Sequence, residues 1–298
     1  MLVKTNPSTS PHRSALPPGD LPPPSSVFGL RPPTAFTLLE LLMVIAIMGI
    51  LAALSLPTIK GMKPNAKVVA TRQLLDAVGR ARQLALSQRT TVYMVFLSTN
   101  FWTDPSYGVS WTASDRTAAT NLLDKQLLGY AYVCVRSMGD QPGAPHPRYL
   151  SSWRSLPEGA YIPLEKFTPF NPASTLPVLK ILTNGVLAYQ VFGFNYTTAV
   201  PFPLETTLPA STTRPYIALP FIAFDGMGQL VSGMSGQPEL IPVAEGSVTF
   251  ARDPNSKVAL PGSPLVTERP PGNTLDNYSL VYVDRLTGRA HVERRKVQ

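Results

Sequence analysis

The sequence predicts an α+β protein in which a long N-terminal helix packs on an antiparallel β-sheet head domain. Three observations support this class. An apolar run over residues 36–56 contains one charged residue, Glu40. Its 21 residues would rise about 31 Å as a helix, which is enough for a transmembrane span. Helical periodicity follows over residues 66–88, and beyond residue 90 short runs of β-formers alternate with turns.

The chain divides into four predicted regions. Residues 1–35 indicate a leader rather than part of the fold, because they are rich in Pro and Ser. Residues 36–59 are the predicted transmembrane helix. Residues 60–89 are a predicted amphipathic stalk helix, and residues 90–298 a β-rich head with a Pro-rich insertion at about 137–215.

The predicted stalk has an apolar stripe with spacings of three and four residues and an opposite face rich in Arg. Pro57 lies near the end of the predicted transmembrane helix. It is expected to bend that helix, because proline removes a backbone hydrogen bond and clashes with the preceding turn.

In the head, strands are predicted at 91–97, 130–135, 216–224, 278–283 and 290–294, and turns are predicted at 225–228 and 286–289. The segments 137–177 and 253–277 are predicted to be loops because of their prolines.

Composition excludes several kinds of chemistry. The single cysteine, Cys134, excludes an intrachain disulfide and a multi-cysteine metal site, and its alternating neighbours favour a strand in the core. The three histidines are dispersed, and no nucleophile elbow or phosphate loop is present. We therefore expect a protein that is not an enzyme and that needs neither a cofactor nor a metal.

The segment around residue 36 carries a specific motif. Ala35 is followed by Phe36-Thr37-Leu38-Leu39-Glu40 and then by the apolar run. This order resembles the N-terminal processing segment of the type IV pilin superfamily, which includes the pseudopilins of type II secretion systems. The resemblance implies that a prepilin peptidase cuts between Ala35 and Phe36 and methylates the new amine of Phe36. Ala35 stands where the family usually carries glycine.

Glu40 is the residue to which the resemblance assigns a mechanism. A carboxylate in an apolar helix requires a counter-charge. By resemblance, Glu40 is recognised by the peptidase and then pairs with the Phe36 amine of a neighbouring subunit, which fixes the register of a growing filament.

Three further segments are similar to those of H-type minor pseudopilins. They are the segment 77–86 before the first strand (which contains an Ala-Arg pair), Phe224-Asp225-Gly226-Met227-Gly228, and Thr287-Gly288-Arg289. The resemblance implies a structural subunit of a type II secretion pseudopilus or a type IV pilus. Its expected partners are the prepilin peptidase, other pilin-like subunits, an inner-membrane assembly platform and membrane lipid. Its expected location is the inner membrane, single-pass, with a cytoplasmic N-terminus and a periplasmic head, and then the filament.

Two alternatives remain at this point. The C-terminal residues Arg289, Arg294, Arg295 and Lys296 form a possible patch for an anionic partner such as DNA, although aromatic residues for base stacking are missing there. The net charge of +8 permits such contact without demonstrating it. The other alternative is a membrane-anchored binding protein that never polymerises.

Overall fold

A computed structural model describes the chain over most of its length; the described residues are 37–61, 65–109, 111–136, 140, 147–168, 179–183, 186–203, 216–233 and 237–294. The helices are α1 (Leu38–Gly61), α2 (Ala66–Gln88), α3 (Ala113–Leu123) and α4 (Asn273–Asp276). The strands are β1 (Val92–Phe96), β2 (Gly129–Cys134), β3 (Arg148–Tyr149), β4 (Arg154–Ser155), β5 (Ala160–Tyr161), β6 (Leu179–Thr183), β7 (Val186–Val191), β8 (Thr197–Pro201), β9 (Tyr216–Phe224), β10 (Glu239–Thr249), β11 (Leu265–Glu268), β12 (Ser279–Val283) and β13 (Ala290–Arg294).

The chain forms two compact units, Met1–Gly61 and Met62–Gln298. In the first, α1 carries a nearly unbroken apolar sequence after Glu40. Among the described residues, however, no helix combines the length and the apolar character needed to cross a membrane.

The predicted transmembrane helix over 36–59 is therefore wrong, and so is the single-pass inner-membrane localisation that depended on it. The fold-class prediction requires the same correction. The protein is α+β with antiparallel sheets, as expected, but none of the described helices is long and apolar enough to be the transmembrane part of the predicted helix. The helix that packs on the sheets is α2, which belongs to the second unit.

Two antiparallel sheets build the second unit. Sheet 1 has the order β3-β2-β1-β9-β8, with β4 also paired to β2. Sheet 2 has the order β11-β10-β12-β13, with β5 also paired to β10. A separate hairpin joins β6 to β7. The five predicted strands correspond to β1, β2, β9, β12 and β13, and β9 and β13 have the predicted bounds.

The main core lies where α2 packs against both sheets. The buried stripe of α2 consists largely of alanine, which lets the helix backbone approach the strands closely; its members include Ala70, Leu74, Ala77, Ala81 and Ala85. They contact aromatic and branched side chains of β1, β2, β9, β10 and β12. α2 lies within the amphipathic stalk helix that the sequence predicts over 60–89, and its apolar stripe is the buried face.

The other face of sheet 1 is also covered. A second cluster brings Leu122 and Leu123 of α3 together with Trp111, Trp153 and Phe202 against the strands. With both faces covered, all six residues of β2 are buried, and Cys134 is 0% exposed. The core position predicted for Cys134 is therefore confirmed.

Part of the expected loop over 137–177 is strand instead. β3 and β4 extend sheet 1 beside β2, and β5 joins sheet 2. Each has two residues, which is too short for alternation to be visible in the sequence.

Candidate functional site

The first turn of α1 contains the motif on which the functional prediction depends. Thr37 precedes the helix, and its hydroxyl accepts a hydrogen bond from the Glu40 backbone N–H at 3.2 Å. The Glu40 carboxylate accepts in return from the Thr37 backbone N–H and hydroxyl, both at 3.2 Å. This reciprocal pair is a capping box, which satisfies N–H groups that a helix start leaves without partners.

The capping box adds a role for Glu40 that the sequence analysis did not assign. The signal was present, because Thr37-Leu38-Leu39-Glu40 has the spacing of a Thr-x-x-Glu box. A carboxylate in the first turn is also stabilised by the helix dipole. Glu40 thus has local partners before any neighbouring chain is considered.

The predicted cleavage site is not among the residues that the structure describes. Ala35 and Phe36 lie outside the described residues, so nothing here places the scissile bond or the Phe36 amine. Pro57 falls within α1, but its side chain is also outside the described set. The roles predicted for these three residues stay predictions.

The three segments that resemble H-type pseudopilins lie together in the second unit. Arg82 on α2 donates through Nε to the Thr287 carbonyl at 2.8 Å and to the Gly228 carbonyl at 3.2 Å. The Leu230 backbone N–H donates to the Arg285 carbonyl at 3.0 Å, which joins the two turns directly. We call this contact of Arg82 with the 225–228 and 284–289 turns the Arg82 junction.

Side chains within each turn hold it in shape. The Asp225 carboxylate accepts from the Met227 and Gln229 backbone N–H groups, both at 2.9 Å. The Asp284 carboxylate accepts from the Thr287 hydroxyl and backbone N–H, both at 2.7 Å. The Thr287 hydroxyl, followed by its backbone N–H, lowers the pKa of Asp284.

The junction connects the helix to both sheets. The 225–228 turn follows β9 of sheet 1, and the 284–289 turn joins β12 to β13 of sheet 2. A single guanidinium therefore links α2 to the ends of both sheets, which gives the three segments a common structural role.

The structure describes the C-terminal basic residues only in part, so the patch predicted there stays a prediction. Arg289 is exposed in the turn before β13, and Arg294 ends that strand, about 17 Å farther along the extended chain. The side chain of Arg294 and the whole of Arg295 and Lys296 lie outside the described residues.

Within the described part of the chain, no three His, Cys, Asp or Glu side chains come together in a way that could hold a metal ion. Comparison with known proteins returns no match, neither to a family model, nor to a curated protein, nor to a solved structure.

Proposed function

We propose that this chain is a structural subunit of a pilin-like filament, similar to the minor pseudopilins of type II secretion or to minor pilins of a type IV pilus. In this proposal a prepilin peptidase cuts between Ala35 and Phe36 and methylates the Phe36 amine. The mature chain then begins at the start of α1 and enters the filament with Glu40 setting its register.

The observation that carries the proposal is the exposure of α1. Between Leu38 and Leu51, eleven large apolar side chains are at least 43% exposed. Covering such a side chain fully stabilises by about 1.5–3 kcal/mol. A helix that is apolar on all sides is typical of a position surrounded by other elements, and the centre of a helical filament supplies such a position through neighbouring copies of α1.

The Arg82 junction supports the more specific proposal of an H-type subunit. Three short segments, far apart in the chain, were singled out by resemblance alone, and they meet around one side chain. Each segment is weak by itself, but a common location gives a physical reason for their occurring together. The proposed partners are the prepilin peptidase, other pilin-like subunits and the assembly platform.

A pair of substitutions in the capping box tests the proposal. Glu40→Gln keeps an oxygen that can accept from Thr37 but removes the charge, so we expect the variant to fold and to be lost from filaments. Thr37→Ala removes the cap, at a cost of about 1 kcal/mol, but keeps the charge, so we expect it to assemble.

The measurement is the amount of each variant in filaments sheared from cells that express the complete assembly machinery. The mass of each chain serves as the control for processing. Normal incorporation of Glu40→Gln would contradict a register role, as would a loss confined to Thr37→Ala. Absence of the unmodified chain from the sheared filaments would favour a binding protein that does not polymerise.

A further inference from the structure

An open groove of about 710 Å³ runs beside α2 in the second unit. One wall is the exposed face of α2 around Arg72 and Arg80, and the other includes Arg154 on β4. Its base is formed by Tyr130 and Tyr132 on β2, which are 1% and 0% exposed. We call it the α2 groove.

Hydrogen bonds hold the base of the groove in place. The Tyr132 hydroxyl donates to the Ala77 carbonyl of α2 at 3.0 Å. Gln73 donates through Nε2 to the Ser155 carbonyl at 2.7 Å and to the Tyr130 hydroxyl at 3.3 Å. These contacts tie α2 to β2 and β4, so the groove exists before any ligand binds.

The rim of the groove is cationic. Arg72, Arg80 and Arg154 are exposed, and among the described residues their guanidinium groups make neither a salt bridge nor a hydrogen bond. Asp76 is the lining residue of opposite charge, and it is not within ion-pair distance of these arginines. Burial raises the pKa of the Tyr132 hydroxyl, and the positive charges of Arg154 and Arg80 partly oppose this rise.

We infer that the α2 groove binds an acidic segment of a different protein in extended conformation. A guanidinium group is planar and can donate two parallel hydrogen bonds to one carboxylate. The groove is lined by three guanidinium groups and one carboxylate. Arg72 and Arg80 are eight residues apart on a helix, about 12 Å along its axis. Carboxylates four residues apart on one face of an extended chain are about 13 Å apart, so two of them can meet both arginines.

Two other occupants fit less well. A second copy of this chain carries the same net charge of +8, which opposes association through a cationic groove. Single-stranded nucleic acid requires aromatic faces for its bases, but the rings of Tyr130 and Tyr132 are buried. Binding in the α2 groove requires neither cleavage of the chain nor filament assembly.

Fluorescence anisotropy of the full-length chain in an uncharged detergent tests this inference. The probe is a fluorescein-labelled eleven-residue peptide of alternating Glu and Thr, titrated at low ionic strength. The groove variant is Arg72→Gln/Arg80→Gln/Arg154→Gln. The control, Arg116→Gln/Lys257→Gln/Arg269→Gln, removes the same charge at exposed positions outside the groove lining.

We expect the groove variant to raise the Kd for the peptide about tenfold and the control variant to change it less than about twofold, because each exposed ion pair contributes modestly. Equal losses in both variants would overturn the inference, because binding would then follow net charge alone. Absence of binding to the unmodified chain would overturn it too. So would tighter binding of a single-stranded DNA oligonucleotide of equal charge, which would point to a nucleic-acid surface.

Discussion

Gly288 illustrates how closely the two turns of the Arg82 junction approach each other. Its backbone has a φ of +60°, and a Cβ atom added there would lie 1.9 Å from the Gly228 carbonyl oxygen. Backbone atoms cannot yield as a flexible side chain can. Only glycine therefore fits this position while the turns keep their contact.

Replacing Gly288 by alanine should destabilise the protein by more than the left-handed backbone alone would cost. The matched control is Gly108→Ala, with a φ of +82° and no atom within 4 Å of the added Cβ. We expect about 1 kcal/mol of destabilisation for the control and at least about 3 kcal/mol for Gly288→Ala. Urea unfolding followed by tryptophan fluorescence measures both, since all three tryptophans lie in the second unit. Equal effects would contradict the close approach of the turns.

Glu40 is a residue whose importance the sequence predicts but whose local contacts it predicts only in part. The motif singled out Glu40 for the proposed assembly role, and the structure describes this residue in the first turn of α1. The resemblance gives Glu40 a partner in a neighbouring subunit, whereas the Thr-x-x-Glu spacing indicates a hydrogen-bond partner in the same chain, Thr37.

The buried ion pair between Lys166 and Glu239 could not be predicted from the sequence, because its two residues are 73 positions apart.

At the scale of elements, α2 is the part of the fold that the sequence predicted best. Its spacing of three and four residues is preserved over 23 residues, so one stripe is visible without knowledge of what it packs against. β9 was equally clear, because it is nine residues long and rich in β-formers.

β10 was not predicted, and its sequence explains why. It contains Pro242 and Gly246, two residues that usually end a strand. Among the described strands, residues Glu239–Val243 of β10 pair only with β12. The opposite edge of β10 is therefore left unpaired by these strands at Pro242, and proline is tolerated at an unpaired edge because it has no N–H to donate. α3 was missed although its start carries a capping box from Thr112 to Asp115.

Gly79 lies in the middle of α2, and it provides a test of that helix. No heavy atom lies within 4 Å of a Cβ added there. Gly79→Ala should therefore stabilise the protein by about 0.5–1 kcal/mol, because alanine loses less conformational freedom in a helix. Urea unfolding measures the shift, with Gly129→Ala as a control that should destabilise, since its Cβ would lie 2.9 Å from the Lys125 carbonyl oxygen. A urea midpoint for Gly79→Ala below that of the unmodified chain would contradict the conclusion that a Cβ atom fits at this helical position without a clash.

The turn between β12 and β13 should make stability depend on pH. The folded pKa of Asp284 is lowered, chiefly by the Thr287 hydroxyl. Its contribution is therefore present above the unfolded value of about 3.9 and is lost as the pH falls through the lower folded value. Thr287→Val removes the hydroxyl donor, so this variant should lose less stability on acidification than the unmodified chain.

Urea midpoints measured from neutral pH down to about pH 2.5 check this expectation. Some acid dependence should persist in Thr287→Val, because the Ser256 backbone N–H and hydroxyl also lower the pKa of Asp253. Identical pH profiles for the two chains would contradict the role given to Thr287.

At the scale of the whole molecule, the chain combines two units of different character. The second buries a core between α2 and two antiparallel sheets. The first exposes apolar side chains along α1. The apolar run and its length together led to the transmembrane assignment, which the described helices do not support. The proposed filament gives α1 the packing partners that its sequence requires.

Intact-mass spectrometry of the chain, expressed with and without a prepilin peptidase, tests the central claim most directly. With the peptidase, we expect a chain that begins at Phe36 and carries one added methyl group on its amine. Without the peptidase, the mass should be that of the uncut chain. An uncut chain in both cases, or a cut at another position, would contradict membership in the pilin pathway and the assembly role proposed for Glu40.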